Sequence, residues 1–350
     1  MTEGTAPETA TPPRIRAASV SKLFGGNRAE ARRLIGEGLD KVEILRRTGC
    51  TIAVNDISFD VAAGEIFVVM GLSGSGKSTL VRCLNRLLTP DAGRVEIDGE
   101  DICAADDDRL RALRLEKITM VFQHFALLPH RTVAENAAYG LKMRGMTPAA
   151  RREKAHQALE AVGLLPWADR LPSDLSGGMQ QRVGLARALA LDPEILLMDE
   201  PFGALDPLIR QDMQHELIEL QARHRTTIIF ITHDLNEALT LGDRVAVMKD
   251  GRFSQVGTPS EIVLAPADDY VSAFTREIDR ARVLPVSAAL RGSMVEGAES
   301  LPGVPADTRL SAVLGQLGQG PLRVVGRDGA LKGVVTAADA AAIAAPPGKG

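Results

Sequence analysis

Ile57, Phe59 and Val61 alternate with Ser58 and Asp60, the two-residue period of a strand with one wet face, and Ala63-Gly64 then turns the chain. Continuous apolar runs follow at residues 66–70, 118–122, 195–198, 227–232 and 245–248, several of them joined by helical stretches. Strands of this buried type alternating with helices predict a mostly parallel α/β sheet. Between about residues 124 and 190 the strand pattern disappears and helical pattern takes over, as in residues 148–162, so a helical insertion is expected there. Ahead of the first strand, Asn27 with Glu30 and Asp40 with Glu43 have the spacing of capping boxes, and Gly36 and Gly38 separate them. Two short helices are predicted, with Leu34, Leu39, Val42 and Leu45 as their apolar face and Gly49 as a stop. From about Val283 the chain becomes rich in Ala, Gly and Pro. Two apolar runs, 322–325 and 331–335, flank Asp328-Gly329 as a hairpin, and an Ala-rich helix is expected from Ala337. The pattern divides into a tail at 1–19, a large α/β unit at 20–284 and a small α+β unit at 285–350.

Length agrees with that division, since 350 residues exceed one domain of about 150. Lys and Arg total 41 against 45 Asp and Glu, a formal charge of −4, which provides no broad basic surface and argues against nucleic acid as a partner. Cys50, Cys83 and Cys103 have neither zinc-site spacing nor an even count, which suits a reduced compartment. The apolar runs are far shorter than the roughly 20 residues of a membrane span. Residues 1–13, rich in Thr, Pro and Glu, lack the basic start and apolar core of a signal peptide.

Chemistry concentrates first at Gly71-Leu72-Ser73-Gly74-Ser75-Gly76-Lys77-Ser78, which matches GxxxxGK[ST] directly after a predicted strand and before a predicted helix beginning at Thr79. Glycines there turn backbone N–H groups toward phosphate oxygens, and the helix N-terminus adds partial positive charge. Lys77 is placed for the β- and γ-phosphates of ATP and Ser78 for Mg²⁺, with Thr79 as a substitute. At the end of the run 195–198, Asp199 is the candidate metal carboxylate and Glu200 the candidate general base.

Leu175-Ser176-Gly177-Gly178-Met179-Gln180 separates this chain from other P-loop proteins: it resembles the signature sequence of ABC ATPases. Ser176 can cap the following helix, and Gly177 and Gly178 leave N–H groups open to an anion. The resemblance extends over about residues 20–284. It implies that a second copy of the chain presents Ser176, Gly177 and Gly178 to the γ-phosphate. It also implies that Gln123 is the Q-loop glutamine sensing γ-phosphate and metal, that Ala204-Leu205-Asp206 is the D-loop, with Gly203 where many relatives have Ser, and that His233 is the switch histidine. Phe24 is the candidate for stacking on adenine.

The predicted helix pair before the first strand resembles the insertion in importer ATPases for glycine betaine, proline and choline. Agreement continues through residues 121–130 and 179–187. This resemblance implies a motor on the cytoplasmic face of the inner membrane, joined to permease subunits and indirectly to a substrate-binding protein, with residues 124–131 facing the permease. The unit around residues 322–345 resembles a single cystathionine-β-synthase (CBS) module, where osmoregulatory relatives usually have two; the shorter tail points toward choline-type members. Two alternatives remain: an importer ATPase for polar amino acids, and a soluble ABC protein acting on ribosomes or DNA. The second sits poorly with one P-loop and no extended heptads.

Overall fold

The computed structural model describes residues 12–123, 126–203, 205–276, 278–290, 298–326 and 328–345. The expectations for most of the tail, for His124 and Phe125, and for Ala204 lie outside these residues. Two compact units form. One holds the described residues up to His233 together with Met248–Phe253, and the other holds Asp234–Val247 and the described residues from Ser254 onward.

In the first unit, strand β1 (Ile15–Gly25) begins inside the stretch expected to be tail. Ile15, Ala17, Val20 and Leu23 are buried, but irregular pairing between Ala17 and Lys22, with Ser19 at φ 50°, breaks the two-residue period that would have revealed the strand. The predicted helix pair follows as α1 (Arg28–Gly36) and α2 (Lys41–Thr48). Asn27 accepts the Glu30 N–H at 3.1 Å and Asp40 the Glu43 N–H at 2.8 Å, while Gly49 ends α2 in the left-handed conformation at φ 68°. The capping boxes go only halfway, because Glu30 binds Arg33 and Glu43 binds Arg46 and Arg47. The apolar face differs as well. Leu34 and Ile44 pack with Leu23, Cys50 and Ile52, whereas Val42 and Leu45 face solvent, since the inner side of α2 runs through Ile44 and Thr48 four residues apart.

β2 (Cys50–Val61) returns antiparallel to β1 and extends the predicted alternation back to Cys50. β3 (Ile66–Met70) leads to α3 (Lys77–Leu84), which starts two residues before the expected Thr79. β4 (Ala92–Ile97) and β5 (Glu100–Asp101) complete a sheet of order β2-β1-β4-β5. α4 (Asp107–Glu116), capped by Asp106, then leads to β6 (Ile118–Val121). The insertion comprises α5 (Val133–Ala137), α6 (Tyr139–Met143), α7 (Pro148–Ala161) and α8 (Gly177–Leu189), with no strand among its described residues. β7 (Ile195–Asp199), α9 (Pro207–His224) and β8 (Thr227–Thr232) finish the unit's parallel set, ordered β6-β7-β8-β3. Every residue of β3, β7 and β8 is buried. The two sheets meet where Phe59 of β2 stacks on Phe67 of β3, ring centroids 4.8 Å apart.

Along the chain, α10 (Leu235–Leu241), β9 (Arg244–Lys249) and β10 (Arg252–Gly257) follow, with Asp250-Gly251 as the turn between the two strands. The second unit continues through α11 (Pro259–Leu264), α12 (Asp269–Thr275) and α13 (Arg280–Val283). Its small sheet has β11 (Gly303–Pro305) parallel to β12 (Leu322–Val325), with α14 (Leu310–Leu317) between them in sequence. β12 pairs antiparallel with β13 (Leu331–Val335) as the predicted hairpin. The Ala-rich helix forms as α15 (Ala337–Ala344), started by a complete Thr336/Asp339 capping box. Among the described residues no helix is long and apolar enough to cross a membrane.

Asp91, just before β4, ties the first sheet to the helix pair. Its carboxylate accepts the Leu23 N–H at 2.8 Å and pairs with Lys22 at 3.3 Å and Arg28 at 3.1 Å. Burial pushes this carboxyl up, but the Leu23 N–H and the Lys22 and Arg28 charges outweigh it and hold it below the ordinary range. A folded-state carboxyl below its unfolded value adds stability that is complete above the unfolded value and lost as pH falls through the folded one. Asp91→Asn is expected to lower stability by roughly 2 kcal/mol at neutral pH. In urea unfolding the gap to wild type should close below about pH 4; a gap independent of pH would remove Asp91 from this role.

Candidate nucleotide site

Parallel pairing brings the carboxyl ends of four strands into one row. Met70 of β3 pairs with Thr232 of β8, Ile231 of β8 with Asp199 of β7, and Met198 of β7 with Val121 of β6. The chain therefore releases the phosphate loop, His233, Glu200 and Gln123 along a single edge, where open α/β sheets bind ligands. A cleft of about 310 Å³ lies there, and its lining includes Phe24, Ser73, Gly74, Gly76, Lys77, Ser78, Thr79, Gln123 and Glu200.

The loop's path requires glycine at two points. Gly71 and Gly76 have φ of 155° and 108°; a Cβ at Gly71 would lie 2.2 Å from the Met248 carbonyl oxygen, and one at Gly76 1.9 Å from that of Ala53. No side chain fits either place. Ser75 lies buried inside the loop, and the Lys77 ammonium donates to the carbonyls of Gly71 at 2.8 Å and Leu72 at 3.1 Å. Burial lowers the Lys77 pKa, against the opposing charges of Glu200 and Asp199.

Asp199 has no accessible surface. Its Oδ1 accepts the Ser78 hydroxyl at 2.7 Å, while Oδ2 finds no hydrogen-bond partner among the described residues and lies 3.6 Å from an Arg82 nitrogen. Burial pushes the carboxyl above its ordinary range, opposed by the Ser78 hydroxyl and Arg82. An orphaned carboxylate oxygen beside a hydroxyl, at the N-terminus of α3, fits a divalent cation such as Mg²⁺ that takes its other ligands from phosphate and water. Among the described residues no cluster of three or more acidic, His or Cys side chains exists to hold a metal independently.

Glu200 follows at φ 47°, left-handed despite its side chain. Its N–H donates to Ile231 O at 3.0 Å, and its carbonyl accepts from Gly203 N–H at 3.3 Å and from the Gln181 amide at 3.4 Å. This turn carries the Glu200 carboxylate out of the sheet. Gln123 Nε2 donates to Oε2 at 3.2 Å, and His233 Nδ1 lies 3.2 Å from the same oxygen. The three predicted catalytic side chains thus converge on one atom.

Ser176, Gly177, Gly178 and Asp206 do not line this cleft. Ser176 caps α8 by accepting the Met179 N–H, and Asp206 caps α9 by accepting the Ile209 N–H; Ser176, Gly177 and Asp206 are solvent-exposed. Sequence reasoning missed Lys41, Thr51, Ile52 and Ala53, which also line the cleft, together with Arg82 and Gln181. Arg82 lies four residues beyond Ser78 on α3, on the same helix face, which offered a signal for it; for Lys41 no local pattern did.

The family model described as ABC transporter matches residues 54–203. The glycine betaine transport ATP-binding protein OpuAA of Bacillus subtilis (strain 168) is 49% identical over 329 residues, 94% of this chain and 78% of that protein. The glycine betaine/proline betaine transport system ATP-binding protein ProV of Salmonella typhimurium (strain LT2) is 52% identical over 290 residues, 83% of this chain and 72% of that protein. Among solved structures, the ATP-binding cassette MJ0796, a dimer in a post-hydrolysis state bound to ADP and Pi, superposes with TM-score 0.61 at 32% identity, covering 70% of this chain and 98% of that one.

Because burial disfavours the charged form of Asp199 at a site without solvent, Asp199→Asn, which keeps the acceptor for Ser78, is expected to stabilise the nucleotide-free protein by roughly 1 kcal/mol. Thermal unfolding without nucleotide or divalent cation reads this directly; a lowered Tm would mean that the carboxylate is compensated where it stands.

Proposed function

This chain belongs to the ATP-binding subunits of ABC transporters, within the group of glycine betaine and proline betaine transport ATPases, and from that premise we propose that it drives uptake of a quaternary ammonium compound by hydrolysing ATP. The observation that supports this best is the convergence of Gln123 and His233 on Glu200 beside the phosphate loop. In this reading the loop N–H groups and Lys77 hold the β- and γ-phosphates, and Phe24 stacks on adenine. Ser73, Gly74, Ser75 and Thr79 complete the phosphate cradle. Ser78, Asp199 and Gln123 hold Mg²⁺, which supplies neutralisation of phosphate charge. Glu200 accepts the proton of a water attacking the γ-phosphorus; the bond to the bridging oxygen breaks, ADP leaves with that oxygen, and the products are ADP and Pi. His233 and Gln123 orient the Glu200 carboxylate and the terminal phosphate.

Ser176, Gly177, Gly178 and Asp206 act on a second copy. The exposure of Ser176, Gly177 and Asp206, with Gly178 half-buried beside them, outside the chain's own cleft is what a site completed between two subunits requires, and the dimeric MJ0796 cassette supports it. Two copies close on two ATP molecules, and the closure drives permease subunits, with a substrate-binding protein delivering cargo. The motor works at the cytoplasmic face of the membrane, its helical insertion toward the permease. The relatives' names favour glycine betaine over the choline-type cargo inferred from the short tail. The β12–β13 hairpin and capped α15 support reading the small sheet as one CBS-like module.

Glu200→Gln is expected to retain ATP binding, accumulate an ATP-bound dimer and lower turnover by roughly two to four powers of ten. In cells carrying the transporter, that variant and deletion of the chain should both abolish uptake of labelled glycine betaine. Unchanged uptake of glycine betaine, choline and proline alike would reject the cargo while leaving the ATPase to be judged by its turnover.

A further inference from the structure

Among the described residues, two cations line the nucleotide cleft. Lys77 belongs to the phosphate loop; the other, Lys41, is the first residue of α2 in the helix pair that interrupts β1 and β2. The placement follows from how the pair is anchored. Leu34 and Ile44 pack onto Leu23, Cys50 and Ile52, and Gly49 reverses α2 directly into β2. Lys41 thereby lines the same cleft as Phe24 and Thr51, which are register partners across β1 and β2.

The Lys41 ammonium lies 3.9 Å from Asp250, whose side chain is 70% exposed against 34% for Lys41. An exposed pair at that separation contributes little, so it is readily exchanged. Asp250 is itself held against the loop: the neighbouring Gly251 N–H donates to Ser75 O at 3.0 Å, and Gly251 O accepts the Asn55 N–H at 2.8 Å. An ammonium lining a cleft that receives a triphosphate gains more from that charge than from a solvated carboxylate.

We propose that Lys41 is a second cationic contact for bound nucleoside triphosphate, exchanged from Asp250 to the nucleotide on binding, which makes the α1–α2 pair one wall of the site. The proposal rests on the nucleotide-site reading above. It assigns the inserted helices a part in ATP affinity and ties their order to occupancy.

The test is calorimetric titration of ATP into the full chain carrying Glu200→Gln, so that turnover does not intrude. Lys41→Ala is expected to weaken binding about fivefold or more and Lys41→Arg less than twofold, the loss shrinking at high salt. Asp250→Ala, which frees the ammonium, should tighten binding in the presence of Lys41 and have no effect in its absence. Amide exchange in α1 and α2 should slow on ATP addition, and slow less in Lys41→Ala. Unaltered affinity in Lys41→Ala overturns the proposal, and tightening by Asp250→Ala that persists without Lys41 overturns the exchange. Lys77→Ala separates the two levels: if it too binds ATP normally the nucleotide-site reading falls, whereas if it alone loses binding only the role of Lys41 falls.

Discussion

A carboxylate with no accessible surface, at the end of a central strand, is the constraint around which the first unit is arranged. Asp199 retains a charge there only with compensation close by, and the nearest partner is the Ser78 hydroxyl at 2.7 Å. That contact requires the loop after β3 to pass directly over the end of β7. The route is open because Gly71 and Gly76 press bare backbone against Met248 and Ala53. The next residue, Glu200, cannot share the same burial, since two adjacent buried carboxylates would repel each other; its left-handed backbone delivers it into the cleft. One buried charge thus governs the loop, the helix it starts and the strained turn beside it.

The site joins burial to opposed charges. Lys77 and Asp199 are both displaced toward their neutral forms by loss of solvent, from opposite directions. Neither is paired as well as it could be: Lys77 turns to backbone carbonyls, and one Asp199 oxygen has no hydrogen-bond partner among the described residues. Groups held in this way are primed to gain from a ligand bringing both an anion and a cation, as a nucleotide with its metal does.

Much of this was legible in the sequence because its physics is local. Buried parallel strands read as apolar runs, helix caps as Asn27 and Asp40 at fixed spacing, and the phosphate loop as glycines that cannot be replaced. β1 was hidden by its own bulges, and β4 by charged residues that leave only Val95 and Ile97 buried. What escaped altogether was non-local. Gln123 and His233 were named one by one, yet their meeting on a single oxygen spans 77 and 33 positions of chain to Glu200. Lys41 belongs to a helix with no chemical motif, and only the docking of that helix brings its ammonium to the cleft. Val42 and Leu45 erred the other way: they carry the right periodicity, but the sheet meets the face beside them.

The helix pair leaves and rejoins the sheet at almost one point. Gly25 is the strand partner of Cys50, Asn27 N–H donates to Thr48 O at 3.0 Å, and Gly26 passes so close that a Cβ would sit 1.9 Å from that same oxygen. The intervening segment is therefore a closed circuit grafted onto a hairpin, whose two ends stand one strand spacing apart whatever lies between them. The entropic cost of closing such a circuit grows only slowly with its length. Evolution can lengthen, shorten or exchange the segment while the flanking strands keep their register, and a protein engineer can splice a reporter into it on the same terms.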